Sequence, residues 1–145
     1  MNFVHTPYQP NETIAAIATP PGEGGVAIIR ITGEKAFEVA KKVFSRDTDS
    51  FKSHTAYHGY ILTAEGERVD EVLMMFMKGK RSYAGENTAE IYCHGGSLIT
   101  RKVLDTVLKA GARQALPGEF TFKAFMNGKL DLSQAEAVQA LIHAK

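Results

Sequence analysis

Residues 88–111 read TAEIYCHGGSLITRKVLDTVLKAG, and this stretch decides the fold. Its first half alternates. Ala89, Ile91 and Cys93 fall on one side of an extended chain, and Glu90, Tyr92 and His94 on the other, because successive strand side chains point to opposite faces. Its second half switches period. Ile99, Val103, Leu104, Val107 and Leu108 recur at helical spacing over Ser97–Ala110, and Gly111 suits the helix-closing position. Gly95-Gly96 joins the two halves. Glycines before a helix leave backbone N–H groups and the positive dipole end available, a place where anionic groups settle. A strand with one apolar and one polar face, followed by an amphipathic helix, predicts a sheet covered by helices.

Working outward, Ala56–Thr63, a turn at Ala64-Glu65-Gly66, and Val69–Met77 predict a hairpin. The consecutive apolar residues Val72–Met77 mark a central strand, its methionines serving as flexible core filling. Upstream, Thr13–Ala18 and Val26–Ile31 are two apolar runs separated by TPPGEGG, read as strands joined by a glycine-rich connection. The second is nearly all aliphatic and is expected to be buried on both faces. Arg30 interrupts it, and a buried arginine needs a partner. A structural ion pair and a ligand contact are both open. Gly22–Ala27 matches the G-x-G-x-x-A dinucleotide fingerprint, but a strand rather than a helix follows it, so a Rossmann site is rejected. No G-x-x-x-x-G-K-[ST] occurs in the sequence. Glu34–Phe44 predicts an amphipathic helix with Ala36, Phe37, Ala40, Val43 and Phe44 on one face.

The last segment stacks several devices. Pro117-Gly118 is a turn. Glu119–Met126 carries Phe120, Ala124 and Phe125 at near-helical spacing and ends at Asn127-Gly128. Asp131 and Gln134 form a capping box for a further helix with Leu132, Ala135, Val138 and Leu141/Ile142 as its apolar face. Lys129 sits on the connection, either a solvated loop lysine or an ammonium directed at a ligand. The apolar stripe is still in register at Ile142 with no closing signal before Lys145. The expectation is that this is the front of a longer protein. With Ala112–Leu116 as one more strand, the predicted order is β-β-α-β-β-β-α-β-α-α. The fold class is α+β, with a mixed, largely antiparallel sheet and packed helices.

Composition narrows the function classes. The 145 residues are 44% hydrophobic and 23% charged, with a formal net charge of +1 and no long basic run. That argues against a nucleic-acid surface by charge alone. A single cysteine excludes an internal disulfide framework. The N-terminal ten residues lack the regions of a signal peptide and no apolar run spans a membrane, so a soluble, cytoplasmic protein with no membrane partner is expected. Cys93 and His94 are adjacent on a strand and face opposite ways, unsuited to a thiol–imidazole dyad. The HGG beside them matches a lipase oxyanion loop, yet no G-x-S-x-G elbow accompanies it. The five histidines show no metal-ligand spacing, and no metal site is expected. No catalytic residue is assigned. A binding module remains, with a small hydrolase as the weaker class.

Three segments in order, 13–33 (TIAAIATPPGEGGVAIIRITG), 81–96 (RSYAGENTAEIYCHGG) and 112–145 (ARQALPGEFTFKAFMNGKLDLSQAEAVQALIHAK), resemble the N-terminal domain of the MnmE (TrmE) family of tRNA modification GTPases. The resemblance covers residues 11–145, and 45–67 carry little of it. It implies a fold similar to the tetrahydrofolate-binding aminomethyltransferase of the glycine cleavage system. It also implies a reduced-folate ligand, 5-formyltetrahydrofolate or 5,10-methylenetetrahydrofolate, and a constitutive homodimer formed through this domain. Matched motif by motif, the implied folate contacts are Arg30, Glu90 and Lys129. Glu90 would accept hydrogen bonds from the pterin amino-pyrimidine edge, and Arg30 and Lys129 would offer charge to carbonyl or carboxylate oxygens. Where the family commonly has arginine in F-[ST]-x-R-A-F, Lys123 stands here, keeping charge without the planar fork.

The family's members continue into a helical domain, a Ras-like GTPase domain holding the GTP, Mg²⁺ and K⁺ sites, and a C-terminal cysteine motif. With the flavoprotein MnmG they add a carboxymethylaminomethyl-type group to the wobble uridine of tRNA, folate supplying the one-carbon unit. The implied organisation is a flexible tail over 1–10, a folate-binding and dimerisation domain over 11–118, and a helix-turn-helix over 119–145 that closes it and starts the helical domain. A free-standing folate-dependent aminomethyltransferase relative is the other reading of the same resemblance.

Overall fold

The computed structural model describes residues 12–20, 24–79, 82, 84–129, 131–134 and 136–137. Its elements run β1 (Ile14–Ile17), β2 (Val26–Thr32), α1 (Ala36–Val43), β3 (Ala56–Leu62), β4 (Arg68–Met77), β5 (Thr88–His94), α2 (Ser97–Lys109), β6 (Arg113–Gln114) and α3 (Glu119–Met126). Residues 132–134 and 136–137 are helical. The predicted order therefore holds. The expected tail over 1–10, together with Ala135, Val138 and Leu141/Ile142 of the last apolar stripe, lies outside the described residues.

One six-stranded sheet has the order β3-β4-β5-β2-β1-β6. Among the described residues only the β1–β6 pair is parallel, so the sheet is mixed and largely antiparallel. α1 carries the chain from β2 to the β3 edge, and α2 carries it from β5 to the β6 edge. Both pack on the same face. There Ala27, Ile29 and Ile31 meet Ala89, Ile91 and Cys93 across the β2–β5 register, and Val39, Ala40 and Val43 of α1 and Val103, Leu104 and Val107 of α2 close the core. Stacked Phe37 and Phe76, with ring centroids 4.7 Å apart, extend it.

The opposite face is different. β2 and β4 are interior to the sheet as expected, but they are not buried on both sides. Val26 is 61% and Leu73 44% exposed, and Ile28 and Met75 are only half-buried. No helix covers the middle of this face among the described residues, so near-continuous apolar runs here report position in the sheet and not two covered faces.

Two chain reversals were written in local sequence. Pro117 and Gly118 occupy the centre of a turn closed by the Glu119 N–H donating to the Leu116 carbonyl at 3.0 Å, with Gly118 at φ 77°, the type II geometry that glycine admits. α3 ends with Gly128 at φ 76°. The Gly128 N–H reaches the Phe125 carbonyl at 3.1 Å and the Lys129 N–H reaches the Ala124 carbonyl at 2.8 Å, a Schellman closure. The capping box also forms. The Gln134 N–H donates to Asp131 Oδ1 at 2.8 Å and the Asp131 N–H to Gln134 Oε1 at 3.0 Å.

Gly95 marks a tighter constraint. Its N–H donates to the Gly25 carbonyl, and a Cβ at this position would lie 1.5 Å from the Gly24 carbonyl oxygen. The glycine-rich connection before β2 thus lies against the glycine pair after β5. Gly95→Ala must push two backbones apart and should cost about 2–3 kcal/mol, lowering the melting temperature by roughly 6–12 °C. Calorimetry beside Gly96→Ala, where a Cβ meets nothing within 4 Å, separates crowding from the backbone strain that Gly96, at φ 102°, carries on its own.

Candidate functional site

Antiparallel pairing sets Arg30 directly opposite Glu90 on the uncovered face. Arg30 Nε donates to Glu90 Oε2 at 2.8 Å, and the Tyr92 hydroxyl, two residues along the same face, donates to Glu90 Oε1 at 2.5 Å. The pair is sheltered but reachable, with side chains 25% and 11% exposed. The ion-pair reading of Arg30 is realised, and it leaves the ligand contact open. A charge in a central strand is tolerated because its partner stands on the neighbouring strand. Tyr92 is pushed well above the ordinary tyrosine range, first by burial and then by its hydrogen bond to Glu90 and the nearby carboxylate charge, with Arg30 pulling the other way. It remains a proton donor to Glu90 at every physiological pH.

Beside Arg30 lies a cavity of about 460 Å³, walled by Arg30, Ala16 and Ile17 on the sheet and by Leu116, Pro117 and Phe120 from the turn and α3. The Arg30 guanidinium carbon is 5.6 Å from the centre of the Phe120 ring, within cation–π range. Lys129 stands past the other end of α3, exposed, with its Cγ against Gly85 of the loop before β5. α3 spans about 12 Å at helical rise. Arg30 and Glu90 are therefore brought together, and Lys129 occupies the far end of the same helix.

α3 forms over its predicted span, Glu119–Met126, but its apolar spacing does not mark a core-facing stripe: Phe120 and Phe125 are only half-buried, and Met126 is 52% exposed. Ala124 is buried. The helix instead turns Glu119, Lys123 and Asn127 inward, at i, i+4 and i+8. Glu119 receives a two-pronged contact from Arg113, with NH2–Oε2 at 2.6 Å and NH1–Oε1 at 3.1 Å, and accepts the Leu116 N–H at 2.8 Å. Arg113 also reaches Glu12 at 2.7 Å, and the carboxylates, Glu119 first, raise its already high pKa. Lys123 is 0% exposed and donates to Glu86 Oε2 at 3.0 Å and to the Glu12 carbonyl at 3.1 Å. Asn127 donates to the Ala84 carbonyl at 3.0 Å. Sequence reading singled out Lys123 only for its missing fork and passed over Glu86, Arg113 and Glu119. The i, i+4, i+8 polar repeat was the available signal.

Cys93 and His94 do point apart. Cys93 is buried with its thiol toward the Ala27 carbonyl, whereas His94 is exposed and its Nδ1 meets Asp70 Oδ1 at 2.7 Å. The thiol–imidazole route to a hydrolase has no geometric support. No group of three or more His, Cys, Asp or Glu suited to a metal ion occurs among the described residues. No described helix is long and apolar enough to cross a membrane.

Fold and site together define a class: an α+β domain armoured by helices on one sheet face and carrying a charged pair and an aromatic-walled cavity on the other. Residues 13–129 match the family model described as "GTP-binding protein TrmE N-terminus", and the chain belongs to that family. It is similar to the tRNA modification GTPase MnmE of Protochlamydia amoebophila (strain UWE25), 70% identical over 145 residues, all of this chain and 32% of that protein. The proteins of the same description from Symbiobacterium thermophilum and Chlamydia felis are 54% and 50% identical over 92% of this chain and 30% of their own length. The chain thus spans about a third of the length of these relatives.

Burial, and after it the charge of Asp70, pushes the Cys93 thiol from 9.0 up to about 11. At pH 8 the thiolate should be about 100-fold scarcer than in the unfolded chain, so alkylation by iodoacetamide should be at least that much slower until denaturant is added. Because the folded-state value is raised, this group's contribution to stability is complete below about pH 9 and fades as pH climbs through 11. Native alkylation at the rate of a free thiol would contradict the buried placement.

Proposed function

We propose that this domain binds a reduced folate on the uncovered sheet face, with Glu90, Arg30 and Lys129 as its polar contacts. The domain serves as the N-terminal folate-binding and dimerisation part of a tRNA modification GTPase. The observation that carries the reading is the Arg30–Glu90 pair: a carboxylate set on a central strand and held by Arg30 and Tyr92, with Arg30 itself lining an adjacent cavity that Phe120 walls. A carboxylate has about four acceptor positions, more than Arg30 Nε and the Tyr92 hydroxyl fill. Such a group accepts paired N–H donors from a flat heterocycle, and Phe120 offers that heterocycle an apolar wall. Lys129, an exposed residue about one helix length from Phe120, is the cation assigned to the anionic tail of the same ligand. The donor set therefore fits a molecule with a donor-rich flat head and a carboxylate tail.

A bound reduced folate carries the one-carbon unit. This chain's residues bind and orient it, and Tyr92, held protonated, fixes one oxygen of Glu90. The names of the relatives support placing the domain in a GTPase of tRNA modification. In that setting GTP hydrolysis, with its Mg²⁺ and K⁺, belongs to other parts of the protein, the flavoprotein MnmG is the partner, and the wobble uridine of tRNA is the acceptor. The sequence of this chain holds no G-x-x-x-x-G-K-[ST] of its own.

Calorimetric titration with 5-formyltetrahydrofolate tests the assignment. Glu90→Gln and Arg30→Ala should each weaken binding about 10- to 100-fold, the size of one or two lost charge-assisted hydrogen bonds. A folded wild-type protein that ignores the ligand, or a Glu90→Gln variant that binds as wild type does, would overturn the reading.

A further inference from the structure

The inward polar face of α3 raises a question that the ligand reading leaves open. A lysine with no exposed surface is unusual, because an ammonium loses strong hydration on burial. Lys123 lies against both Glu86 oxygens, at 3.0 and 3.4 Å, and against the Glu12 carbonyl. Glu86 belongs to the loop that leads into β5 four residues before Glu90. Next to it, Gly85 admits α3 so closely that a Cβ there would lie 2.7 Å from Asn127 Cβ and 3.0 Å from Lys129 Cγ. α3 in turn holds Phe120 beside Arg30 at one end and Lys129 at the other. The helix thus connects the two ends of the proposed site, and Lys123–Glu86 fixes it midway.

We propose that the buried Lys123–Glu86 pair is a positioning element for ligand binding: it locks α3 to the β5 approach, so that Phe120 and Lys129 stand at the right places around Glu90. This rests on the folate reading. Neither residue is assigned a contact with the ligand. Lys123→Met keeps the stem and removes the charge, Lys123→Arg restores a cation, and Glu86→Gln keeps the shape and an acceptor without the charge.

The readout is the dissociation constant for 5-formyltetrahydrofolate at 10 °C, beside the melting temperature and amide hydrogen exchange of each variant. The expected result is at least tenfold weaker binding by Lys123→Met while circular dichroism at 10 °C stays native, with Lys123→Arg within about threefold of wild type. Exchange of the Asn127, Gly128 and Lys129 amides should quicken in Lys123→Met while the amides of β2 and β5 stay protected. A merely structural role lowers the melting temperature and leaves affinity at 10 °C alone, and that outcome overturns the proposal. So does an arginine that fails to restore binding. If Lys123→Met does not fold, Glu86→Gln decides on the same criteria. Should the wild type itself not bind, the folate reading has failed. Exchange in the α3 closure then still reports whether the pair holds the helix.

Discussion

Everything in this domain depends on the register in which β2 meets β5. Arg30 stands opposite Glu90, and in the same alignment Ala27, Ile29 and Ile31 stand opposite Cys93, Ile91 and Ala89. Strand side chains alternate with period two, so a slip of one residue would drive Arg30 into the helix-covered core and turn Ile29 and Ile31 outward. The hydrophobic core and the charged pair therefore enforce each other. Neither face could be changed alone: the apolar side fixes the alignment that brings the ions within 2.8 Å, and the ion pair makes any other alignment costlier.

From that fixed platform the remaining parts take their places by close backbone approach. The loop at Gly24 and Gly25 lies against Gly95, tying the start of β2 to the end of β5. At the other end of the same strands Thr32 and Thr88, also opposite in register, share a hydroxyl contact of 3.0 Å, and the Gly33 N–H donates to the Asn87 carbonyl. Both ends of the central pair are thus closed, and Glu90 lies between them. A carboxylate meant to recognise a rigid ligand benefits from such support, since disorder in the site must be removed on binding.

The sheet was legible because its signals are local. Period-two alternation in 88–94, the period change after Gly96 and the aliphatic run at Val26–Ile31 are each contained in a few residues. So are the turn at Pro117-Gly118 and the capping box at Asp131. The opposition of Arg30 and Glu90, sixty residues apart, was not local, and the sequence left the arginine between an ion pair and a ligand contact. The orientation of α3 was not legible for a related reason. Counting apolar residues assumes that the surface opposite a helix is apolar. Here that surface is irregular backbone and carboxylates, namely the Glu12 and Ala84 carbonyls, Glu86 and the Arg113–Glu12 contact.

That reversal follows from hydrogen-bond satisfaction. Turning Phe122, Phe125 and Met126 inward would recover about 1.5–3 kcal/mol for each side chain fully buried. It would also strand the groups that Glu119, Lys123 and Asn127 now serve. A buried carbonyl or N–H without a partner costs about 1–3 kcal/mol, and a buried carboxylate without its cation about 3–5. For the Glu12 and Ala84 carbonyls, the Leu116 N–H and Glu86 together that cost is at least comparable with the apolar gain, which shrinks because Phe122 and Phe125 are already half-buried, and Arg113 is a further dependent. The segments before β1, before β5 and after β6 carry backbone groups that no strand pairs, and α3 is the element that answers them. Its position is set by directional contacts, which fix a helix along and about its axis more sharply than apolar packing does. For a helix with Phe120 at one end of the proposed site and Lys129 at the other, that sharpness is the property the proposed binding requires.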